Sequence, residues 1–182
     1  MMTRSLPDYS VTGDGPVTLF LLHGAFGAKE YWRNQLRAFS NAGLRIVAWD
    51  APGYGVSPLP DDFSVETAAA ALTRLIEREG TETNIILGHS MGGMVAIRTY
   101  GLIPEKIEGL ILSATSAAFG RSDGEWQKEF VRARVAPTVL REYQIGDLLG
   151  VGHGVAPTLQ AGFAEGLHAL RVIGNLLRRS EQ

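Results

Sequence analysis

The stretch NIILGHSMGG, residues 84–93, runs an apolar segment into a serine held between glycines. Gly88-His89-Ser90-Met91-Gly92 matches G-x-S-x-G, which with Gly and Ser each near 7% of residues arises by chance in roughly one chain of this size in twenty. The surroundings must therefore carry the reading. NIILG (84–88) reads as a short buried strand, and MGGMVAIRTYGL as a helix ending before Pro104. A serine at such a junction sits on a sharp strand-to-helix turn. The turn exposes its hydroxyl at the C-terminal edge of a sheet and aims the next helix's N-terminus at the reaction centre. Gly88 and Gly92 are the elbow glycines, small enough to let the two chain segments pass. The alternative is a tight turn with a capping serine.

Outward from this stretch, strand and helix patterns alternate. VTLFLLHG (17–24) is a continuous apolar run, as expected of a strand buried on both faces. In 28–43, Trp32, Leu36 and Phe39 recur at helical spacing before Gly43, a plausible cap. LRIVAWD (44–50) is a second strand, followed by the turn-rich APGYGVS. Ser64 opens an Ala-rich helix carrying Leu72, Leu75 and Ile76 and capped near Gly80, and IEGLILSA (107–114) is a further strand. DYSVTGDG near the start suggests a weak edge strand or hairpin. The expectation is α/β: a mostly parallel sheet with flanking helices, over residues 1–120.

From 121 to 182 the pattern changes to a helical, lid-like segment and tail. Ser122 and Glu125 form a capping-box spacing, with Trp126, Phe130 and Ala133 on one face. Leu159, Phe163, Leu167, Leu170, Ile173 and Leu177 form one stripe, weakened by Gly162, Gly166 and Gly174. No convincing strand follows Pro137.

Composition narrows the function. The 182 residues suffice for one domain with a sizeable core, and 45% apolar with 20% charged residues is ordinary for a globular chain. A net charge of −2 with scattered basic residues offers no field for nucleic acid or an anionic membrane. With no cysteine, thiolate catalysis, disulfides and cysteine-based zinc sites are excluded. MMTRSLPDYS lacks the apolar core of a signal peptide, so a cytoplasmic setting is expected.

LLHGAFG, WDAPGYGVS and LGHSMGG, in that order, resemble the α/β-hydrolase superfamily. More narrowly they are similar to its small ester and lactone hydrolases, such as 3-oxoadipate enol-lactonases and meta-cleavage-product hydrolases. The resemblance spans roughly residues 9–137. It implies a serine hydrolase with Ser90 as nucleophile and the backbone N–H groups of Ala25 and Met91 as oxyanion donors, needing no metal or organic cofactor. A serine at the elbow argues against the dehalogenase and epoxide-hydrolase relatives, which use aspartate there.

The family's triad also needs an acid and a histidine after Ser90. Only His153 and His168 follow it. His168 falls opposite the apolar stripe of the tail and reads as a surface residue. His153, in GVGHGVAP, is the candidate base, with Asp147 the candidate acid in the right order. Neither follows a strand, as the family pattern would require. Asp123 reads as a helix cap, Asp50 as a structural loop residue, His23 as a loop-fixing residue and His89 as a ring turned away from Ser90. The last two strands of the family are expected to be missing, replaced by the helical tail through truncation or a shifted frame after about Pro137.

The leading expectation is hydrolysis of a small-molecule ester or lactone. The alternative is a catalytically incomplete fragment acting as a binding or interaction module, self-associating through the sheet edge at 107–114 unless the tail stripe covers it. Acyl transfer to an acceptor other than water is a third option.

Overall fold

Among the described residues, apolar runs rich in Val, Ile and Leu, punctuated by Gly and Pro, become five strands. They are β1 (Tyr9–Thr12), β2 (Val17–Leu22), β3 (Leu44–Trp49), β4 (Thr83–His89) and β5 (Gly109–Ser113). α-Helices alternate with them: α1 (Arg33–Phe39), α2 (Val65–Glu79) and α3 (Met91–Tyr100). The computed structural model describes residues 5–39 and 41–116, together with 124, 125 and 128. The chain divides after Ser116 into two units. Of the second, Lys128 N–H donates to the Gly124 carbonyl (3.1 Å), and its ammonium pairs with Glu125 (2.7 Å). The expected lid helix beyond these residues, the tail stripe, Asp123, Asp147, His153 and His168 lie outside the described residues.

The sheet order is β1-β3-β2-β4-β5, with β1 antiparallel to β3 and every other pairing parallel. The mostly parallel sheet with flanking helices agrees with the sequence reading. DYSVTGDG supplies an edge strand, which pairs with β3 across the sheet rather than forming a hairpin with β2. The chain crosses there with no room for side chains: a Cβ on Gly13 would lie 2.1 Å from the Leu44 carbonyl oxygen, and Gly13 is left-handed at φ 78°.

The expected helix over 28–43 is split. Lys29–Trp32 forms a 3₁₀ turn and only then does α1 begin. Ala28 gives no side-chain cap, and the Lys29 N–H is instead taken by the Asp50 carboxylate (2.7 Å) from the loop after β3. Gly43 is left-handed (φ 66°), as a cap would be, but it serves the turn beyond the helix. Ser64 caps α2 as expected, its hydroxyl accepting the Thr67 N–H (3.1 Å).

Right-handed crossovers put α1 on one face of the sheet and α2 and α3 on the other. On the latter face Phe20, Leu22, Val47, Trp49 and Ile86 meet Ala68, Leu72, Leu75 and Ile76 of α2 and Val95 and Ala96 of α3. Each large apolar side chain buried there contributes about 1.5–3 kcal/mol. The small Ala68, Ala69 and Ala71 let α2 lie close to the strands. β5 is an edge among the described residues, and its Leu112 is 45% exposed.

Between β2 and β4 the order of the sheet reverses: the chain goes from β2 outward to β3, then returns across β2 to β4. Such a reversal opens a crevice beyond the C-terminal ends of the parallel strands. Residues 23–25 and Ser90 emerge on its two sides.

Candidate active site

Ser90 takes φ 51° and ψ −115°, a conformation that L-residues rarely adopt, between the end of β4 and the start of α3. Three glycines make the turn possible. A Cβ on Gly88 would stand 2.5 Å from the Gly92 carbonyl oxygen, and one on Gly92 would stand 2.3 Å from that of Leu22. The first turn of α3 is thereby pressed onto the end of β2. A Cβ on Gly24 would come within 3.1 Å of Ser90 Cβ, so the turn after β2 stands directly beside the serine.

That turn runs from Gly24 to Gly27, closed by the Gly27 N–H on the Gly24 carbonyl (3.1 Å). It holds Ala25 and then Phe26, whose φ of 63° is what the third position of a type II turn demands. The two expected oxyanion donors thus flank one crevice, Ala25 in the turn and Met91 at the first position of α3.

His23 is 1% exposed, and both ring nitrogens are engaged: Nε2 accepts the Ala51 N–H (3.0 Å), and Nδ1 lies 2.8 Å from the Gly24 carbonyl. An accepting Nε2 requires a proton on Nδ1, so the neutral ring donates to Gly24. Burial lowers its pKa, against the opposing pull of the Gly24 carbonyl and Asp50. The ring is a brace between β2 and β3 and is unsuited to take a proton from Ser90. The unfolded histidine, near 6.5, binds a proton that the native one resists. Stability is therefore full above about pH 6.5 and declines as pH falls below it. Thermal unfolding in His23→Gln should show a shallower loss of melting temperature between about pH 7.5 and 5.5 than the wild type.

His89 turns its Nδ1 to within 3.3 Å of the Ser113 hydroxyl. Asp50 is 1% exposed and bonded by Lys29 through both backbone N–H (2.7 Å) and ammonium (2.8 Å), while Gly55 leaves room for its carboxylate. The Asp50 and Asp8 hydrogen bonds raise the Lys29 pKa well above its ordinary value. Asp50 thus holds a loop in place. Among the described residues no cluster of three His, Asp or Glu side chains could hold a metal ion.

Three features escaped the sequence reading. Tyr54, in the loop after β3, lays its ring on His23 (centroids 5.0 Å apart) and points its hydroxyl at the Met91 sulfur (3.6 Å). Burial raises its pKa. Lys29 joins Asp8 and Asp50. Ser113 and Thr115, at the exit of β5, bond the backbone of Ser90 on both sides. Turn-rich sequence announces loops, and none of these pairings has a local spacing that would reveal it.

Residues 17–169 match the family model described as the alpha/beta hydrolase fold. The chain is 35% identical over 109 residues to a 2-hydroxy-6-oxononadienedioate/2-hydroxy-6-oxononatrienedioate hydrolase of Paraburkholderia phymatum, covering 57% of this chain and 38% of the relative. It is 30% identical over 111 residues to a pimeloyl-[acyl-carrier protein] methyl ester esterase of Wigglesworthia glossinidia brevipalpis, covering 61% and 41%. A solved marine microorganism esterase superposes with a TM-score of 0.65 at 23% identity, over 79% of this chain and 60% of that one, a likeness of fold. The chain spans about two fifths of the length of the two sequence relatives.

Proposed function

As the chain belongs to the α/β-hydrolase fold family, we propose that it is a serine hydrolase cleaving a carboxylic ester or lactone through an acyl-enzyme on Ser90. The observation that carries this reading is the left-handed backbone of Ser90 at the β4–α3 junction. Strain of this kind costs about 1–3 kcal/mol and persists where the surrounding packing enforces it. Here the close approach of the α3 start to β2 and β4, which Gly88 and Gly92 permit, enforces it.

In the proposed reaction the Ser90 hydroxyl oxygen attacks the acyl carbon while a base takes its proton. The oxyanion of the tetrahedral intermediate is received by the N–H groups of Ala25 and Met91, each such donor contributing about 10²–10³ in rate. Collapse breaks the bond to the alkoxy oxygen, which leaves with the proton from the base. Water then releases the acid from Ser90. Neither described histidine beside the elbow suits the base: His23 is spent on Gly24 and Ala51, and His89 faces Ser113. His153 with Asp147 remains the proposed pair.

A fluorophosphonate probe tests the reading, because it reacts only with an activated serine. Labelling of the wild type that vanishes in Ser90→Ala and falls in His153→Ala is the expected result. A folded wild type that stays unlabelled would reject the hydrolase reading in favour of a binding module. Residual turnover would not rescue it, since an oxyanion hole and substrate binding alone accelerate hydrolysis about 10³–10⁴-fold.

A further inference from the structure

The last glycine of GHSMGG, Gly93, lies outside the G-x-S-x-G pattern, yet a Cβ there would stand 2.6 Å from Cβ, Cγ2 and Oγ1 of Thr115. Gly93 is the seat of Thr115. From that seat the Thr115 hydroxyl donates to the Ser90 carbonyl at 2.7 Å. Two residues earlier the chain has bonded the other side of the serine, the Ser90 N–H donating to the Ser113 carbonyl (2.9 Å). Ala114, between these two partners, is left-handed at φ 46°, which for alanine is a strained backbone. The strain brings the Ser113 carbonyl and the Thr115 hydroxyl, two residues apart, onto the same serine.

The Ser90 carbonyl and the Met91 N–H belong to one planar trans peptide group, so they point in opposite directions. Fixing the carbonyl from behind fixes the aim of the N–H into the crevice. The helix alone holds that carbonyl loosely, sharing it between the N–H groups of Gly93 (3.0 Å) and Met94 (3.4 Å). A carbonyl oxygen has two lone pairs, and Thr115 makes the shortest of the three bonds. A hydrogen bond accepted by the carbonyl also polarises the N–H of the same group, strengthening it as a donor.

We propose that Thr115, seated on Gly93 and presented by the left-handed Ala114, is a positioning residue that aims and polarises the Met91 N–H as an oxyanion donor. The proposal rests on the hydrolase reading for its consequence in rate, and on the peptide geometry alone for its consequence in structure.

Thr115→Val removes the hydroxyl and keeps the shape, and Thr115→Ser keeps the hydroxyl. Thr115→Ala is a second hydroxyl-free variant should the valine fail to fold. Two quantities are read on the full chain: the ¹⁵N chemical shift of the Met91 amide and the rate of fluorophosphonate labelling at Ser90. The Met91 resonance should move in Thr115→Val and return towards its wild-type position in Thr115→Ser. Labelling should slow about ten- to hundredfold in Thr115→Val, less than the loss of a whole donor, and stay within about twofold in Thr115→Ser. An unmoved Met91 resonance, a displacement that serine does not restore, or labelling of Thr115→Val at the wild-type rate would overturn the proposal. If the wild type itself is not labelled, the hydrolase reading fails and the amide decides alone. A shift moved by valine and restored by serine then upholds the aiming of the peptide, and an unmoved shift overturns it.

Discussion

Gly92→Ala should eliminate fluorophosphonate labelling of Ser90 and destabilise the fold by about 3 kcal/mol, the upper end of what overpacking a close contact costs. The added methyl group would stand 2.3 Å from the Leu22 carbonyl oxygen and 2.7 Å from that of His23. Both are backbone atoms of the central strand region, where no rotamer change can make room. β2 is hydrogen-bonded on both sides, to β3 and β4, and Leu22 is fully buried. The first turn of α3 would have to lift away, taking with it the Met91 N–H and the conformation of Ser90. Gly101→Ala at the far end of the same helix is the control. Its Cβ would meet nothing closer than the Arg98 carbonyl at 3.4 Å, and its φ of −66° suits any residue. Urea unfolding should show that control within about 0.5 kcal/mol of the wild type, with labelling intact. Equal losses in the two variants would mean that a methyl group anywhere on α3, and not the close contact at the elbow, is what costs stability.

The elbow was legible because its causes are local. A sharp strand-to-helix turn needs glycine at fixed offsets from the serine, and Gly88, Ser90 and Gly92 print that requirement into five consecutive residues. The strands were legible for a similar reason, since a strand buried on both faces must be apolar throughout, as Leu19–Leu22 are. The split of the helix at 28–43 was not legible. It depends on where Lys29 N–H finds an acceptor, and Asp50 is 21 residues away. Thr115 was hidden likewise, because its partner Ser90 is 25 residues distant and joined to it through sheet order. Gly93 was the one local trace of it, readable as a demand for space but not as a demand by Thr115. Sequence spacing reports what a turn or a periodic face requires of itself. It is silent about partners that topology brings together.

Lys29→Met should destabilise the protein by about 3 kcal/mol, the low end of the range for orphaning a buried charge, while leaving Ser90 reactive in the molecules that remain folded. The low end applies because Asp50 keeps one partner, the Lys29 backbone N–H at 2.7 Å. What methionine removes is the ammonium at 2.8 Å from the other oxygen of a carboxylate that is 1% exposed. Asp50 cannot turn to water, because its own backbone is fixed by the Ser57 hydroxyl on its carbonyl (2.7 Å) and its N–H on the Asp8 carbonyl (2.8 Å). Asp8, a second carboxylate partner of Lys29 beside the more exposed Glu30, has a side chain 38% exposed, so Asp8→Asn should cost less than about 1 kcal/mol. Asp50→Asn placed in the Lys29→Met background separates the causes, since it removes the orphaned charge and keeps an oxygen to accept the Lys29 N–H. The double variant should recover part of the stability, as urea midpoints would record. A double variant no more stable than Lys29→Met would show that the lysine stem, and not the charge pair, holds the loop. The network ties the approach to β1, the 3₁₀ turn and the loop after β3, and none of its side chains bonds Ser90. The elbow draws its restraint from Gly88, Gly92 and the exit of β5 instead. Stability and reactivity should therefore separate in this variant, where in Gly92→Ala they fall together.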